Sequence, residues 1–377
     1  MRKTLIGYVL SIVVMLVIGI VMLFSTGAFA TDAHGNPYYF IQRQALWMGL
    51  GVVACCVAAC VDYHLWQRYW KWLFAFSVVL LAACFLFPKI NGSHRWIRFG
   101  GFSFQPSEVG KIAAAAFLAA WFSDRAGEMS RSFRQGFVFP LCIVGILMAL
   151  IAAEVDLGTT ALIGATTLLT MFVAGSHLGH LSILAGGGLA GLAVVAISIP
   201  QRLERLIGFL DLEKHADGSG YQQLQGLIAL ATGGVWGLGL GNSRQKMHYL
   251  PFAHTDFIFP VVGEELGLVC TMLVVLAYTV MIICGVYIAM NASDRFGALF
   301  SFALVIMMGI QAALNIAVTT ALLPNKGIAL PFISYGGSSL LFSMLAVGIL
   351  INIYRQGESE HTVKSAVRLP VRVTPRI

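Results

Sequence analysis

Charged residues are scarce in this sequence. Asp, Glu, Lys and Arg make up 11% of the 377 residues, whereas 58% of the residues are hydrophobic, and the mean hydropathy is +0.82. Soluble domains are about 25% charged and about 45–50% apolar, so this composition excludes a water-soluble globular protein. Long apolar runs separated by polar segments also exclude a porin-like barrel, whose strands alternate in short segments. The composition therefore predicts an all-α polytopic membrane protein.

Paired cysteines are missing as well. The seven cysteines lie inside apolar runs, with no CxxC pair and no histidines at metal-ligand spacing, so neither a disulfide nor a zinc site is predicted. The excess of 24 Lys and Arg over 17 Asp and Glu is typical of loops that follow the positive-inside rule. This excess does not call for nucleic acid as a partner.

Ten apolar runs approach the ~20 residues that a helix needs to cross a bilayer. They span residues 5–24, 44–61, 72–88, 108–122, 137–153, 157–175, 180–199, 258–289, 297–320 and 333–354. The first run is too long for the apolar core of a signal peptide, and many more runs follow it, so we expect a retained first helix. The whole chain, residues 1–377, is therefore expected to form one integral membrane domain with about ten transmembrane helices.

Lys and Arg in the short loops predict the orientation of the chain. Both termini are expected in the cytoplasm, together with the 123–136 loop and a basic tail at residues 355–377. Residues 200–256 then form a large periplasmic loop before the start of the next span. Within that loop, residues 221–230 have the amphipathic pattern of a helix at the outer surface, and glycine-rich turns follow them.

Two outer segments are basic, against the positive-inside rule. The segment 89–104 carries Arg95 and Arg98, and the segment 200–254 carries Arg244 and Lys246. One interpretation is that an anionic ligand binds between them outside the membrane. The alternative is that later loops tolerate positive charge once the topology is set.

Two of three polar clusters have a local structural explanation. In residues 94–111, Glu108 and Lys111 are three residues apart and can pair on one face of a helix. A structural ion pair and a functional pair fit this spacing equally well. Glu154 and Asp156 lie between two apolar runs, where helix N-caps are the favoured interpretation.

The third cluster, residues 239–267, is a polar passage between apolar runs, and ionisable groups near a bilayer usually mark a site. It contains Arg244, Lys246, His254, Asp256 and Glu264. A carboxylate beside basic groups at the membrane surface suits proton abstraction next to a phosphorylated leaving group. Asp256 is therefore the candidate general base. The alternative is that Asp256 only caps the helix that follows.

Four passages together resemble the SEDS family of bacterial membrane proteins (shape, elongation, division and sporulation; FtsW/RodA). They are RWIRFGGFSFQPSEVGK (95–111), EVDLGTT (154–160), GLGNSRQKMHYLPFAHTDFIFPVVGEELG (239–267) and NKGIALPFISYGGSSL (325–340). The GNSxQK, SFQPSE and SYGGSSL pieces resemble the FtsW, or division, branch more than the elongation branch. Phe252 stands where the family commonly has Glu, and Ala321 where it often has Gly, which leaves the Asp of the HTDF motif untouched.

The resemblance implies a peptidoglycan glycosyltransferase that polymerises lipid II at the outer face of the inner membrane during septal wall synthesis. The family's essential Asp corresponds to Asp256. The substrate-binding candidates are Arg244, Lys246, His254, Glu264, Arg95, Arg98, Glu108, Lys111 and Ser338. Expected partners are lipid II, membrane lipid, a class B penicillin-binding protein and other divisome proteins. No cofactor is required by the pattern, although a divalent cation (Mg or Mn) could bridge Asp256 or Glu264 to pyrophosphate.

Two other classes of function compete with the enzyme. A lipid II flippase would also use about ten helices with intramembrane charges, but it needs a polar path across the whole membrane. A non-catalytic scaffold for division enzymes would explain the spans and the basic tail, although not the grouping of Asp256 with His254 and basic residues. The position of the charges along the membrane normal separates these alternatives.

Overall fold

The computed structural model describes residues 2–27, 38–89, 92–99, 102–125, 132–198, 200–216, 218–247 and 249–367. The α-helices in these ranges are α1 (Arg2–Gly27), α2 (Tyr39–Cys60), α3 (His64–Cys84), α4 (Pro106–Ser123), α5 (Phe139–Ala153), α6 (Leu157–Val173), α7 (Leu178–Ser198), α8 (Pro200–Leu210), α9 (Tyr221–Gly233), α10 (Ile258–Met290), α11 (Arg295–Thr319) and α12 (Gly337–Val367), and a short π-helix, Arg134–Val138, leads into α5. Strands β1 (Ile97–Phe99) and β2 (Phe102–Phe104) form one antiparallel hairpin. The prediction of an all-α fold is confirmed, with this hairpin as an addition.

All ten predicted apolar runs coincide with helices. Six described segments are long and apolar enough to cross a membrane: α1, α2, Arg134–Ala153 (which ends with α5), α10, α11 and Gly337–Ser359 of α12. Helix α6 is apolar but shorter. Large apolar side chains on the outside, such as Trp72 and Ile283, are more than half exposed, as expected where lipid is the solvent. The chain is a multi-pass membrane protein, while the count of about ten spans stays a prediction.

Helix α4 lies at the centre of the bundle. Every residue from Pro106 to Phe122 is buried, and the helix packs against α3, α5, α6, α11 and α12. Its run of small residues, 113–116, allows these neighbours to approach closely, as is usual for helices in membranes. The entrance of α4 therefore brings Glu108 and Lys111 into the interior of the protein.

The end of the bundle formed by the α2–α3 and α10–α11 connections is closed by structural hydrogen bonds. The backbone N–H of Tyr63 donates to Asn352 (3.1 Å), and the Tyr63 hydroxyl donates to Asp294. Asp294 in turn caps α11 by accepting from the N–H of Phe296 (3.0 Å). Arg2 lies close to Tyr354 at the same end, so the start of α1 and the later part of α12 meet there.

Helix α10 is broken at Gly267, which has φ 76° and ψ −175°. The carbonyl groups of Glu264 and Glu265 at this break accept hydrogen bonds from the N–H groups of Leu238 (2.9 Å) and Gly239 (3.0 Å). A Cβ at Gly267 would lie 2.3 Å from the carbonyl oxygen of Val235, so only glycine fits. The glycine-rich turns after α9 therefore pack directly on α10.

The passage predicted as a large periplasmic loop contains two helices, α8 and α9. Helix α9 confirms the helix predicted over residues 221–230 and packs on α10 and α11. Other parts of the predicted topology fall on residues outside the described ranges, namely 126–131 of the 123–136 loop and 368–377 of the basic tail.

Candidate active site

A cavity of about 820 Å³ opens at the end of the bundle opposite Tyr63 and Asp294. Its walls come from α2, the hairpin region, the entrance of α4, residues 252–256, and the segment 327–339 before and within the start of α12. Six of the residues singled out in the sequence line it: Asp256, His254, Arg95, Arg98, Glu108 and Lys111. The structure thus brings together groups that are up to 161 positions apart (Asp256 and Arg95).

Asp256 lies in the turn before α10, where it is half-buried and lines the cavity. The N-cap of α10 is Phe257, and no side chain caps that helix end. The interpretation of Asp256 as a simple helix cap is therefore wrong. Within the described residues the Asp256 carboxylate accepts no hydrogen bond, which leaves both oxygens available to a ligand.

The surroundings of Asp256 make its carboxyl group a weaker acid than usual. Burial raises the pKa of Asp256 to about 6; the nearby Arg95 guanidinium opposes this change, and the Asp156 carboxylate adds to it. Gly327 contributes to the burial, because a Cβ at that position would lie 2.6 Å from an Asp256 carboxylate oxygen. A carboxylate with this pKa is ionised at neutral pH and still basic enough to accept a proton in catalysis.

Asp156 is the N-cap of α6, which confirms the structural interpretation for this residue. It accepts from the N–H (3.0 Å) and the hydroxyl (2.9 Å) of Thr159, and its other contacts are with Arg95 (3.9 Å between charged atoms) and the Gln105 amide (3.5 Å). Asp156 therefore ties the segment before the hairpin to the start of α6. Through Arg95 it also acts on the electrostatics of the cavity.

Glu154 is not a helix N-cap, in contrast to the expectation. It follows the end of α5 and is almost completely buried, and neither of its carboxyl oxygens has a hydrogen-bond partner in the described structure. Burial raises the pKa of Glu154 to about 8, as does the Asp156 carboxylate, while Cys84 and Arg95 act in the opposite direction. Glu154 is thus a largely neutral acid at pH 7.

The predicted pair of Glu108 and Lys111 is confirmed, with 2.7 Å between their charged atoms and both side chains 7% exposed. The Lys111 ammonium also donates to the Gln311 side chain (2.8 Å). Because both residues also line the cavity, the pair forms a charged part of its wall and is at the same time a structural contact between α4 and α11.

His254 and Ser338 hold cavity walls in place. The His254 ring packs against Phe40 of α2, with 4.5 Å between the ring centroids, and its carbonyl accepts from the N–H of Tyr335 (3.0 Å). Ser338 lies just behind the lining, where its hydroxyl accepts from the N–H of Gln105 (3.1 Å) and donates to the carbonyl of Ser103 (3.2 Å). Ser338 therefore fastens the hairpin to α12 and does not face the cavity.

Arg244, Lys246 and Glu264 lie outside the cavity lining. The Glu264 carboxylate accepts from the Ser243 hydroxyl and from the N–H groups of Arg244 (2.9 Å) and Gln245 (3.4 Å). The Arg244 side chain is exposed. These contacts fold the turn after the glycine-rich segment over the break in α10.

Glu265 completes this second cluster. It forms an ion pair with Lys246 (2.8 Å), both side chains being at most 1% exposed. Glu265 also accepts from the Ser25 hydroxyl at the end of α1 (2.7 Å) and from the N–H of Gly241 (3.1 Å). We call Ser243, Lys246, Glu264 and Glu265 the loop anchor, since together they join α1, α10 and the turn between α9 and α10.

Several cavity residues were not singled out in the sequence. They are Tyr39, Arg43, Trp47, Trp96, Tyr335 and Gln311. Arg43 had a usable signal, because an arginine at the start of an apolar run is by default a functional candidate. The aromatic residues had none, since aromatic side chains are common at both ends of membrane helices.

The fold and this site define a multi-pass membrane protein with a charged cavity at one end of its helical bundle. Residues 6–359 match the family model of the FtsW, RodA and SpoVE proteins, described as cell cycle protein. The chain therefore belongs to this family, the SEDS family, and the resemblance seen in the sequence is confirmed.

Curated relatives cover nearly the whole chain. Stage V sporulation protein E of Bacillus subtilis is 40% identical over 346 residues, which are 90% of this chain and 94% of the relative. The probable peptidoglycan glycosyltransferase FtsW of Geobacter metallireducens is 38% identical over 340 residues, 89% of this chain and 90% of the relative. The protein with the same description from Coxiella burnetii is 38% identical over 352 residues, 92% of this chain and 94% of the relative.

Solved structures show the same fold. A chain of a peptidoglycan synthase complex, described as coordinating polymerization and crosslinking, has a TM-score of 0.77 at 24% identity and matches 93% of this chain and 97% of its own length. The Thermus thermophilus rod shape determining protein RodA has a TM-score of 0.69 at 23% identity, over 93% of this chain and 96% of its own. At these identities the likeness supports the fold alone.

Proposed function

We propose that this protein is a peptidoglycan glycosyltransferase that polymerises lipid II at the outer face of the inner membrane during septal wall synthesis. The observation that carries the proposal is the Asp256 carboxylate, which has no protein hydrogen bond among the described residues and faces a cavity that also contains Arg95 and Arg98. The curated relatives named as probable peptidoglycan glycosyltransferases support the choice of reaction.

In the proposed reaction Asp256 is the general base. It removes the proton from the acceptor sugar hydroxyl, whose oxygen forms a bond to the anomeric carbon of the donor sugar. The bond from that carbon to the pyrophosphate oxygen breaks, and the electron pair leaves with the undecaprenyl pyrophosphate. The raised pKa of Asp256, to about 6, suits this role because base strength and ionisation at neutral pH are both needed.

Positive charge for the departing pyrophosphate comes from arginines of the cavity wall. Arg95 and Arg98 lie before and within the hairpin, and Arg43 lies on α2; all three line the cavity. Arginine suits phosphate because its planar group donates two parallel hydrogen bonds. These three residues take the place of Arg244 and Lys246, which the sequence pattern proposed for this role. His254, Glu108 and Lys111 remain substrate-binding candidates, since all three line the same cavity.

A divalent cation would have to be held mainly by the substrate. Within the described ranges, no group of three or more His, Cys, Asp or Glu residues could hold a metal ion. The carboxylate of Glu264 already accepts hydrogen bonds from Ser243, Arg244 and Gln245, so it is not a fitting ligand. A cation beside Asp256 would complete its shell with pyrophosphate oxygens and water, and no step above depends on it.

The proposed orientation places the cavity on the periplasmic side and both termini in the cytoplasm. It is supported by Arg2 lying near Tyr354, at the end of the bundle away from the cavity. In a cysteine-free background, an impermeant thiol reagent applied to spheroplasts should label a cysteine at Lys214 but not one at Ser359. The reverse pattern would overturn the orientation.

We further propose a class B penicillin-binding protein as the partner, with other divisome proteins around the pair at the septum. The structural likeness to a chain of the peptidoglycan synthase complex, in which polymerization is coordinated with crosslinking, supports this choice. Co-purification in detergent tests it. Polymerisation by the isolated chain that does not change on addition of the transpeptidase would contradict it.

The proposed activity itself is tested with purified protein, the cognate transpeptidase and labelled lipid II. Glycan polymer separated by gel is the expected result. The flippase alternative predicts no polymer but transfer of lipid II across the bilayer of proteoliposomes. That outcome would overturn the proposal in favour of transport.

A further inference from the structure

We infer that Asn315 of α11 is a positioning residue. It holds the turn that carries Asp256 against residues 327–329, the segment that covers the Asp256 carboxylate and that we call the cover. This inference rests on the proposed role of Asp256 as general base. Asn315 is 2% exposed and lies far along a helix whose buried neighbours are mostly apolar. A buried amide among such neighbours needs hydrogen bonds to be tolerated.

The Asn315 amide makes two contacts, both with backbone carbonyls of the active-site walls. Its Nδ2 donates to the carbonyl of Asp256 (2.8 Å) and to the carbonyl of Ile328 (2.6 Å). Its Oδ1 is buried and accepts nothing from the described residues. The side chain therefore acts as a double donor that clamps two loop segments together.

The two clamped segments enclose the Asp256 carboxylate. Gly327, next to Ile328, approaches an Asp256 carboxylate oxygen so closely that a Cβ would lie 2.6 Å from it. One turn earlier on α11, Gln311 donates to the carbonyl of Ala329 (2.9 Å) and accepts from Lys111 (2.8 Å). The polar face of α11 thus fixes the cover over Asp256 and connects it to the charged pair of α4.

Loss of the clamp should expose Asp256 to more water. Burial is the largest cause of its raised pKa, so a loosened cover lowers that pKa toward the ordinary value near 4. The charges that act on Asp256 are those of Arg95 and Asp156. The other charged or titratable groups of the same cavity are Arg43, Arg98, His254, Tyr39, Tyr335 and the pair of Glu108 and Lys111. Substitution of Asn315 removes no charge, so any change in the pKa of Asp256 reports a change in how well the cover shields its carboxylate.

The test compares Asn315→Leu with Gln223→Met. Both variants keep a side chain of similar length and lose an amide that donates to two backbone carbonyls, because Gln223 of α9 donates to Val318 (2.8 Å) and Leu323 (2.8 Å). Gln223 does not line the cavity, which makes it a matched structural control. Asn315→Ser, which keeps one donor, serves as the second variant if Asn315→Leu does not fold.

Two measurements separate this inference from the proposed function. Carbodiimide labelling of Asp256, followed by mass spectrometry over a pH series, gives the protonation midpoint without any assay of activity. We expect the midpoint to fall by about one pH unit in Asn315→Leu, by less in Asn315→Ser, and not at all in Gln223→Met. Polymerisation at neutral pH should fall by about 10- to 100-fold in Asn315→Leu because Asp256 is displaced.

An unchanged midpoint in Asn315→Leu, or an equal shift in Gln223→Met, would overturn the inference. If the wild type makes no glycan polymer at any pH, the proposed function fails. The labelling midpoints still decide whether Asn315 positions Asp256.

Discussion

The cavity and the loop anchor both take acidic side chains from residues 239–267, yet they use them in opposite ways. In the loop anchor, Glu264 and Glu265 are buried and accept hydrogen bonds from hydroxyl and backbone N–H groups, with Lys246 as counter-ion. In the cavity, Asp256 accepts no hydrogen bond from the described protein, and its charge is opposed by burial. The first arrangement stabilises a fold, and the second leaves a carboxylate ready to react.

The degree of hydrogen bonding thus separates the structural carboxylates of this passage from the proposed catalytic one, Asp256. A carboxylate whose oxygens already accept hydrogen bonds from the protein, or whose charge is paired with a lysine, has little capacity left to bind a substrate. A partly buried carboxylate without hydrogen bonds from the protein lowers the stability of the fold and is typical of functional sites. Substitutions in the loop anchor should therefore change stability, and substitutions around Asp256 should change activity and its pH dependence.

The largest expected effect on stability comes from Glu265. In Glu265→Gln the buried Lys246 ammonium loses its counter-ion, which should cost about 3–5 kcal/mol of stability. Thermal unfolding in detergent measures the loss. The double variant Glu265→Gln with Lys246→Met should be more stable than Glu265→Gln alone, since no charge is left unpaired. Equal melting temperatures for wild type and Glu265→Gln would show that the ion pair does not hold the loop.

The pH dependence should respond to charges near Asp256 and not to those of the loop anchor. Since Asp256 must be ionised to act as a base and its pKa is about 6, polymerisation should fall about tenfold per pH unit below that value. Arg95→Gln removes the charge that lowers this pKa, so the acid limb should move to higher pH. Asp156→Asn keeps the N-cap and should move the limb to lower pH, each by about 0.5–1 unit.

Glu264→Gln is the control for these pH profiles, because Glu264 does not line the cavity. Its acid limb should coincide with that of the wild type. Shifts of Arg95→Gln and Asp156→Asn in the same direction would contradict the electrostatic account of the site.

The smallest expected effect concerns Ala321, just after α11. Its φ of 54° is unfavourable for a residue with a Cβ, and the family often has glycine there. Ala321→Gly should raise stability by about 0.5–1 kcal/mol, because relief of the strain exceeds the added entropy of the unfolded chain. Ala317→Gly, within α11, should lower stability by about 1 kcal/mol. Melting temperatures that fall in both variants would contradict the prediction.

The sequence predicted those features that depend only on residues close together in the chain, namely the helices, one ion pair and one helix cap. The apolar runs predicted the helices because hydrophobic length alone sets a membrane span. The pairing of Glu108 with Lys111 followed from residues three apart on one helix face. The cap at Asp156 followed from its place before an apolar run.

The division of residues 239–267 into two sites could not be predicted from the sequence. Glu264 follows Asp256 closely in the chain, so both appeared to belong to one site, but α10 begins at Ile258 and carries Glu264 about 9 Å along its axis from there. The glycine-rich turn then folds onto the break at Gly267 and takes Lys246 with it. Arg43 reaches the same cavity through the packing of α2, a long-range arrangement that its place at the start of an apolar run does not reveal.

The most direct test of the account compares Asp256→Asn with Glu264→Gln, both of which remove a negative charge with little change of shape. At matched protein levels and neutral pH, purified Asp256→Asn should lose about 10²-fold or more of its lipid II polymerisation while its melting temperature and its co-purification with the transpeptidase stay unchanged. Glu264→Gln should melt at a lower temperature and keep most of its activity per folded molecule. Near-normal polymer from Asp256→Asn would contradict the assignment of Asp256 as the general base.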